Sequence, residues 1–306
     1  MILTADKNQV TDAAYHTLNN INVGCQVVMV NWVENFVFND ALLGLKDYAL
    51  ICFCEYGYDW DMDKSGSHIW GVNSEKFPRY YNNEWVKFDN WVKENPFKIL
   101  LKRELLKQDV SDTVQPIEYP SILTEYPLQT EQEFNNRSVE VTQYWGRSNE
   151  ERIRIHGEIW LHAYNKGFQP CDNLYYVNHY LSEEKGRKWI TMWIPHYARI
   201  DVSELMKINS TSKLSLSWAG AGFKCFRTAE APLCSIMVMH KNNYAWSFDW
   251  NETNCILVNP KKEMEEIEKT LQRTDLYEVY KAGVQNANKY LLPNYIKHLE
   301  TLINNA

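Results

Sequence analysis

The run Leu214-Ser-Leu-Ser-Trp-Ala-Gly-Ala-Gly-Phe-Lys-Cys-Phe-Arg-Thr-Ala-Glu230 brings together the residue types that hold an anion. An apolar, strand-like stretch, Leu214 to Trp218, stops at Gly220 and Gly222. Lys224 and Arg227 follow at once, and Arg227 and Glu230 are spaced to share one face of a helix. A strand, a glycine turn and a helix start aim backbone N–H groups and the positive end of a helix dipole at one point. Lys and Arg add full charges suited to a diphosphate. A carboxylate one turn further in accepts two hydrogen bonds from a ribose diol. The predicted chemistry is therefore the grip on a nucleotide diphosphate sugar. A second turn, Gly146-Arg147-Ser148 with Arg152 beyond it, follows the strand-like Val139–Trp145. Ligands of open α/β sheets bind at such a turn, although a capped helix with a solvated arginine has the same spelling.

Other groups compete for a role. Asp59-Trp-Asp61-Met-Asp63-Lys-Ser-Gly66 presents three alternating carboxylates, a pattern that can hold a divalent cation. Its reading as a calcium loop fails at Val72, where a Glu is required. A polar loop after a strand is the plainer account. Glu55 ends that strand; only if the loop after it faces a cleft between two domains is Glu55 or Asp59 the candidate general base for an inverting displacement, and a retaining reaction would need no such base. His156, His162, His179 and His196 have no metal-ligand spacing. His196 follows Pro195 at a strand end, within the expected reach of a donor base or phosphate, and a satisfied loop histidine reads the same way. Lys98, Lys102, Arg103 and Lys107 form a basic cluster, read as a solvated face or as a contact for an anionic donor or acceptor.

These residues need a scaffold. The 306 residues suffice for two domains of ordinary size. Short apolar runs alternate with helical patterns, which predicts an α/β fold. In the first half the strands are Cys25–Trp32 and Tyr48–Cys54, with Phe97–Leu101 as a strand or helix start. Residues 111 to 137, with Pro116, Pro120 and Pro127, read as a linker. The pattern then restarts with a strand at Val139–Trp145 and a helix through Ile155, Ile159 and His162. Further strands are predicted at Lys188–Ile194, Leu214–Trp218, Ser235–Met239 and Cys255–Val258. A Glu- and Lys-rich helix starts at Pro260, and a last helical region is interrupted at Pro293. The division is 1–135 for a first domain and 136–306 for a second, with the last helix as a candidate to cross back.

The net charge of −7 argues against a general nucleic-acid binder. Seven cysteines without CxxC or zinc spacing suit buried thiols in a reducing compartment. No signal peptide and no apolar run of spanning length is seen, so the expected location is cytoplasmic.

With Gly146-Arg147-Ser148…Arg152 and Gly220-Ala-Gly222…Arg227-Thr-Ala-Glu230-Ala231 in hand, residues 138 to 260 resemble the nucleotide-binding domain of GT-B glycosyltransferases. The likeness is to the branch holding the CgeB-like and exostosin-like enzymes. It implies two Rossmann-like domains facing across a cleft, an acceptor-side first domain and a donor-side second domain. It further implies transfer of a sugar, a hexose above all, from a nucleotide diphosphate donor, a UDP-sugar being favoured, to an acceptor hydroxyl. Glu230 would hold the ribose. Arg227, Gly220, Gly222 and Lys224 would face the diphosphate, with Gly146, Arg147, Ser148 and Arg152 at the first turn. Pro232-Leu233-Cys234 departs from the family's small-residue run ending in Gly. No cofactor and no metal is expected, with a divalent ion at the DxD loop as the alternative. The acceptor stays open among glycan, protein, lipid, small molecule and hydroxylated DNA base. The competing readings are a metal-dependent GT-A-like transferase and a non-catalytic nucleotide- or sugar-binding module.

Overall fold

A computed structural model describes residues 2–3, 20–30, 42–52, 90–103, 105–121, 123, 125–145, 150–166, 189–193, 202–218, 224 and 227–306. They form two compact units. The first takes Met1–Thr124, Asn243–Asp249 and Tyr290–Ala306, and the second takes Glu125–Asn242 and Trp250–Lys289.

Among the described residues the first unit holds a parallel sheet of five strands in sequential order: β1 (Ile2–Leu3), β2 (Val27–Val30), β3 (Ala49–Cys52), β4 (Ile99–Lys102) and β5 (Val114–Pro116). Strands β3 and β4 are buried along their whole length. That is why Ala-Leu-Ile-Cys and Ile-Leu-Leu read as continuous apolar runs rather than alternating ones. Val28, Leu42, Tyr48, Leu50, Trp91 and Leu100 pack together on this sheet. Strand β5 corrects the linker expected over 111–137. A three-residue edge strand ending in Pro116 is too short to show a period, and an edge is where a sheet tolerates proline.

The former linker also supplies α1 (Glu131–Asn135) to the second unit. A capping box starts it. Thr130 Oγ1 accepts from the Glu133 N–H at 3.3 Å, and the Glu133 carboxylate accepts from the Thr130 N–H at 2.7 Å. Just beyond it, the Arg137 guanidinium lies against the stacked rings of Phe134 and Tyr280, 4.5 and 4.6 Å from their centroids. It donates to the Ser212 carbonyl at 2.6 Å and to Gln129 Oε1. The guanidinium thus fastens this segment to the sheet of the second unit.

That sheet comprises β6 (Val139–Trp145), β7 (Trp189–Trp193), β8 (Ser212–Leu216), β9 (Ile236–His240) and β10 (Ile256–Val258), all parallel, in the order β10-β9-β8-β6-β7. Its helices are α2 (Glu150–Asn165), α3 (Val202–Ser210), α4 (Arg227–Cys234), α5 (Glu263–Leu271) and α6 (Leu276–Ala287). Val141, Ile155, Ile159, Leu214, Ile236, Val258, Val279 and Val284 form the core. Strand β6 carries buried polar residues on both faces, and both faces are matched. Gln143 Oε1 meets His156 Nδ1 at 2.7 Å, while Thr142, Ser212, Ser215 and Tyr144 bond to Asn209 or to one another. Cys234, in the departure from the family pattern, is buried with its sulfur 3.2 Å from Met206 Sδ, and burial pushes its thiol up to about 12.

Helix α6 approaches the chain before β10 closely. A Cβ on Gly283 would lie 2.8 Å from the backbone oxygen of Asn254. Alanine normally favours a helix interior by about 1 kcal/mol over glycine. Gly283→Ala is nevertheless expected to destabilise the protein by about 1–3 kcal/mol, because neither backbone can yield cheaply. Urea unfolding of the two proteins checks this.

The chain returns twice to the first unit. Residues 243–249 pair with it through Ala245 N–H to the Leu105 carbonyl (2.8 Å) and Lys107 N–H to the Asn243 carbonyl (2.9 Å). The Ser247 N–H also donates to the buried Glu118 carboxylate at 3.2 Å. The last helix, α7 (Leu292–Asn305), buries Tyr295, Leu299 and Ile303 at one-turn spacing. Pro293 does not interrupt a helix there; it sits in the first turn, where its missing N–H costs nothing.

Candidate functional site

In the second unit the chain runs from β6 outward to β7, then returns to the other side of β6 as β8. The order reverses between β6 and β8. Crevices at the carboxyl ends of strands flanking such a point are where open α/β sheets bind ligands. The described residues there come from two strand ends and three helix starts.

Helix α2 follows β6 and places Arg152 in its first turn. Arg152 is 5% exposed and its Nη2 donates to the Trp218 carbonyl at 2.7 Å. Trp218 lies two residues past β8. One guanidinium therefore spans the reversal point. The Trp218 ring is buried and meets the His240 ring edge-on, with centroids 4.6 Å apart. His240 is the last residue of β9, and its Nε2 lies 2.9 Å from Glu263 Oε1. Glu263 opens α5 and is 1% exposed. The same Oε1 accepts from Arg154 Nη2 at 2.8 Å, and Arg154 is again on α2. Burial alone would raise the Glu263 pKa. Hydrogen bonds from the backbone at Glu263 and Lys261, from Arg154 and from His240 outweigh it and hold the carboxyl below its ordinary value.

Helix α4 begins at Arg227 and carries Glu230 half-buried in its first turn. The Glu230 side chain is thus free of any full enclosure, while its carbonyl faces the Cys234 thiol at 3.9 Å. Lys224 is wholly buried. A lysine so enclosed is not a solvated charge. Of the residues singled out in the sequence, Arg152, Lys224, Glu230 and the backbone of Arg227 lie at this carboxyl end of the sheet. Gly146, Arg147, Ser148, His196, Gly220, Gly222, Glu55 and Asp59 lie outside the described residues, as does the DxD loop.

The basic cluster is corrected in part. Lys102 and Arg103 are 3% and 2% exposed, so they are no solvated face. Lys102 ends the parallel strand β4, Arg103 follows it, and the Arg103 guanidinium lies 5.1 Å from the centre of the Tyr119 ring. Lys107 is exposed, and Lys98 reaches the Ile303 carbonyl at 3.4 Å. His156 is the satisfied core histidine described above. Among the described residues no cluster of His, Cys, Asp or Glu is placed to hold a metal ion.

Sequence reading missed Trp218, His240, Arg154 and Glu263 as a set. Each has an innocent spelling: a strand end, a residue after a strand, and charges on helix starts. The available signal was position alone, since His240 and Glu263 both stand where a strand or helix meets the carboxyl edge.

No family model matches the sequence, and no curated protein sequence does. Solved structures do match. TarM superimposes with a TM-score of 0.50 at 11% identity, over 95% of this chain and 58% of its own. HepE of Anabaena, solved in complex with UDP and glucose, gives a TM-score of 0.51 at 12% identity, over 92% of this chain and 78% of its own. The chain has the GT-B fold. The resemblance read from residues 138 to 260 is borne out at that level. The protein spans little more than half the length of TarM, and at these identities the likeness is one of fold. Within the GT-B fold, the Arg152–Trp218 bridge marks the reversal point of the second unit.

Proposed function

We propose that the protein is a GT-B glycosyltransferase that moves a sugar, a hexose by preference, from a nucleotide diphosphate donor to an acceptor hydroxyl. The observation that carries the reading is the Arg152 guanidinium fixed across the β6/β8 reversal, at the same sheet edge as the first turn of α4 with Glu230. The UDP and glucose held by HepE, on the same fold, favour a UDP-sugar as the donor.

Glu230 accepts the ribose hydroxyls in this account. Arg152, Arg227 and the N-termini of α2 and α4 meet the diphosphate, with Arg147, Ser148, Gly146, Gly220 and Gly222 shaping the turns and Lys224 supporting one from inside. The bond between the sugar's anomeric carbon and the diphosphate oxygen breaks, and its electron pair leaves with the nucleotide. Fixed cationic groups stabilise that charge without a metal. The acceptor oxygen bonds to the anomeric carbon. In an inverting reaction its proton passes to Glu55 or Asp59. His196 is assigned to the donor base or phosphate. The first unit takes the acceptor side and the second the donor side.

The protein is proposed to act in the cytoplasm. Among the described residues no helix is long and apolar enough to cross a membrane, and Cys25, Cys52, Cys234 and Cys255 are free thiols.

Incubating the protein with UDP-glucose and scoring release of UDP in the presence of EDTA tests the reading. Metal-independent release is expected, slow without acceptor because water is a poor substitute. Release abolished by EDTA moves the chemistry to the DxD loop. Binding without any release, across acceptors, leaves a non-catalytic module.

A further inference from the structure

The contacts at the reversal point close into a ring. Arg152 of α2 holds the Trp218 carbonyl, and the Trp218 ring meets His240. His240 is held by Glu263, and Glu263 is held by Arg154, two residues from Arg152 on the same helix. Each link has its own anchor. The Ser217 N–H donates to the Val238 carbonyl at 2.8 Å, which ties the chain beside Trp218 to β9. The His240 carbonyl accepts from Asn242 Nδ2 at 3.0 Å. Glu263 sits on the amide end of α5. The imidazole side chain is 12% exposed, so it is walled in by these partners.

We propose that His240 is a positioning residue for the donor diphosphate, acting through Trp218 on Arg152. The proposal rests on the donor-site reading above. An arginine serves a diphosphate only when its planar fork is aimed, and the Trp218 carbonyl is a group that aims the fork here. That carbonyl lies beyond the last residue of β8, so the ring contact at His240 fixes the residue bearing it. Glu263 in turn fixes the rotation of the imidazole by holding Nε2.

The test compares UDP with uridine, since only UDP presents phosphates to Arg152. UDP affinity is measured by calorimetry and uridine affinity by ligand-detected NMR, for wild type, His240→Ala, Arg152→Ala and the double variant. His240→Ala is expected to weaken UDP about tenfold, the loss of roughly one charge-assisted hydrogen bond. Uridine affinity should stay within about twofold. The double variant should bind UDP no worse than Arg152→Ala alone, because coupled residues are not additive. His240→Ala protein with wild-type UDP affinity overturns the proposal and leaves the donor reading intact. An equal loss for UDP and uridine also overturns it, since it signals general loosening. Should Arg152→Ala fail to fold, the ratio of UDP to uridine affinity in His240→Ala decides alone. Absence of UDP binding to the wild type overturns the proposal and tells directly against the donor reading from which it derives.

Discussion

Glu263→Ala is expected to lower the unfolding free energy by about 3 kcal/mol at neutral pH. Removing one partner of a buried ion pair costs about 3–5 kcal/mol, because the other charge stays behind without its counter-ion. Here one carboxylate serves two partners, Arg154 and His240, at 2.8 and 2.9 Å. Arg154 retains Glu158 at 2.7 Å and is a third exposed, which places the loss at the lower end. His240 has no such retreat to water. Urea unfolding measures the difference. Its pH dependence has a defined sign. The Glu263 carboxyl titrates below its ordinary value of 4.5 when folded, so the folded state binds its proton less readily than the unfolded chain. The stabilisation is complete above pH 4.5 and fades as the pH falls through the lowered value. The gap between wild type and Glu263→Ala should therefore shrink on acidification below that point. A gap unchanged down to pH 3, or absent at pH 7, contradicts the role given to the carboxylate.

The second large effect concerns the donor. Glu230→Ala is expected to weaken nucleotide binding by a hundredfold or more. Hydrogen bonds to a charged group contribute about 1.5–3 kcal/mol each, and a ribose diol makes two to one carboxylate. Stability should change little, because Glu230 is half-buried in the first turn of α4. Its side chain thus differs from Glu263, which is a structural anion at the start of α5. Arg227→Ala should move affinity in the same direction through the diphosphate.

The contrast between those two glutamates shows what a sequence carries. The place of Glu230, in the first turn of a helix soon after a strand, was legible because its context is local: an apolar run, two glycines, two cations and a helix start within one short stretch. The parallel strands of both units were legible too, since burial on both faces writes unbroken apolar runs. Glu263 was not legible. Its partner Arg154 lies 109 residues away, and a glutamate in a Glu- and Lys-rich helix looks solvated until the fold brings that arginine to it. The burial of Lys102 and Arg103 was hidden for the same reason, because a charged residue after an apolar strand is spelled alike whether it ends in water or inside. Strand β5 hid behind Pro116, as three residues at a sheet edge leave no period to detect. His240 carried no motif. Its place comes from the end of β9, and its meaning comes from Trp218 and Glu263, which are not its sequence neighbours.

The carboxyl edge of the second sheet is proposed to hold a nucleotide diphosphate sugar. The most direct measurement is thermal unfolding of wild type and Glu230→Ala with UDP-, GDP-, ADP-, CDP- and TDP-sugars. One nucleotide family should stabilise the wild type, by about 2.7 kcal/mol at a hundred times its Kd, and should leave Glu230→Ala unshifted. A wild type that responds to none of the five, or a Glu230→Ala protein that responds as fully as the wild type, contradicts the claim.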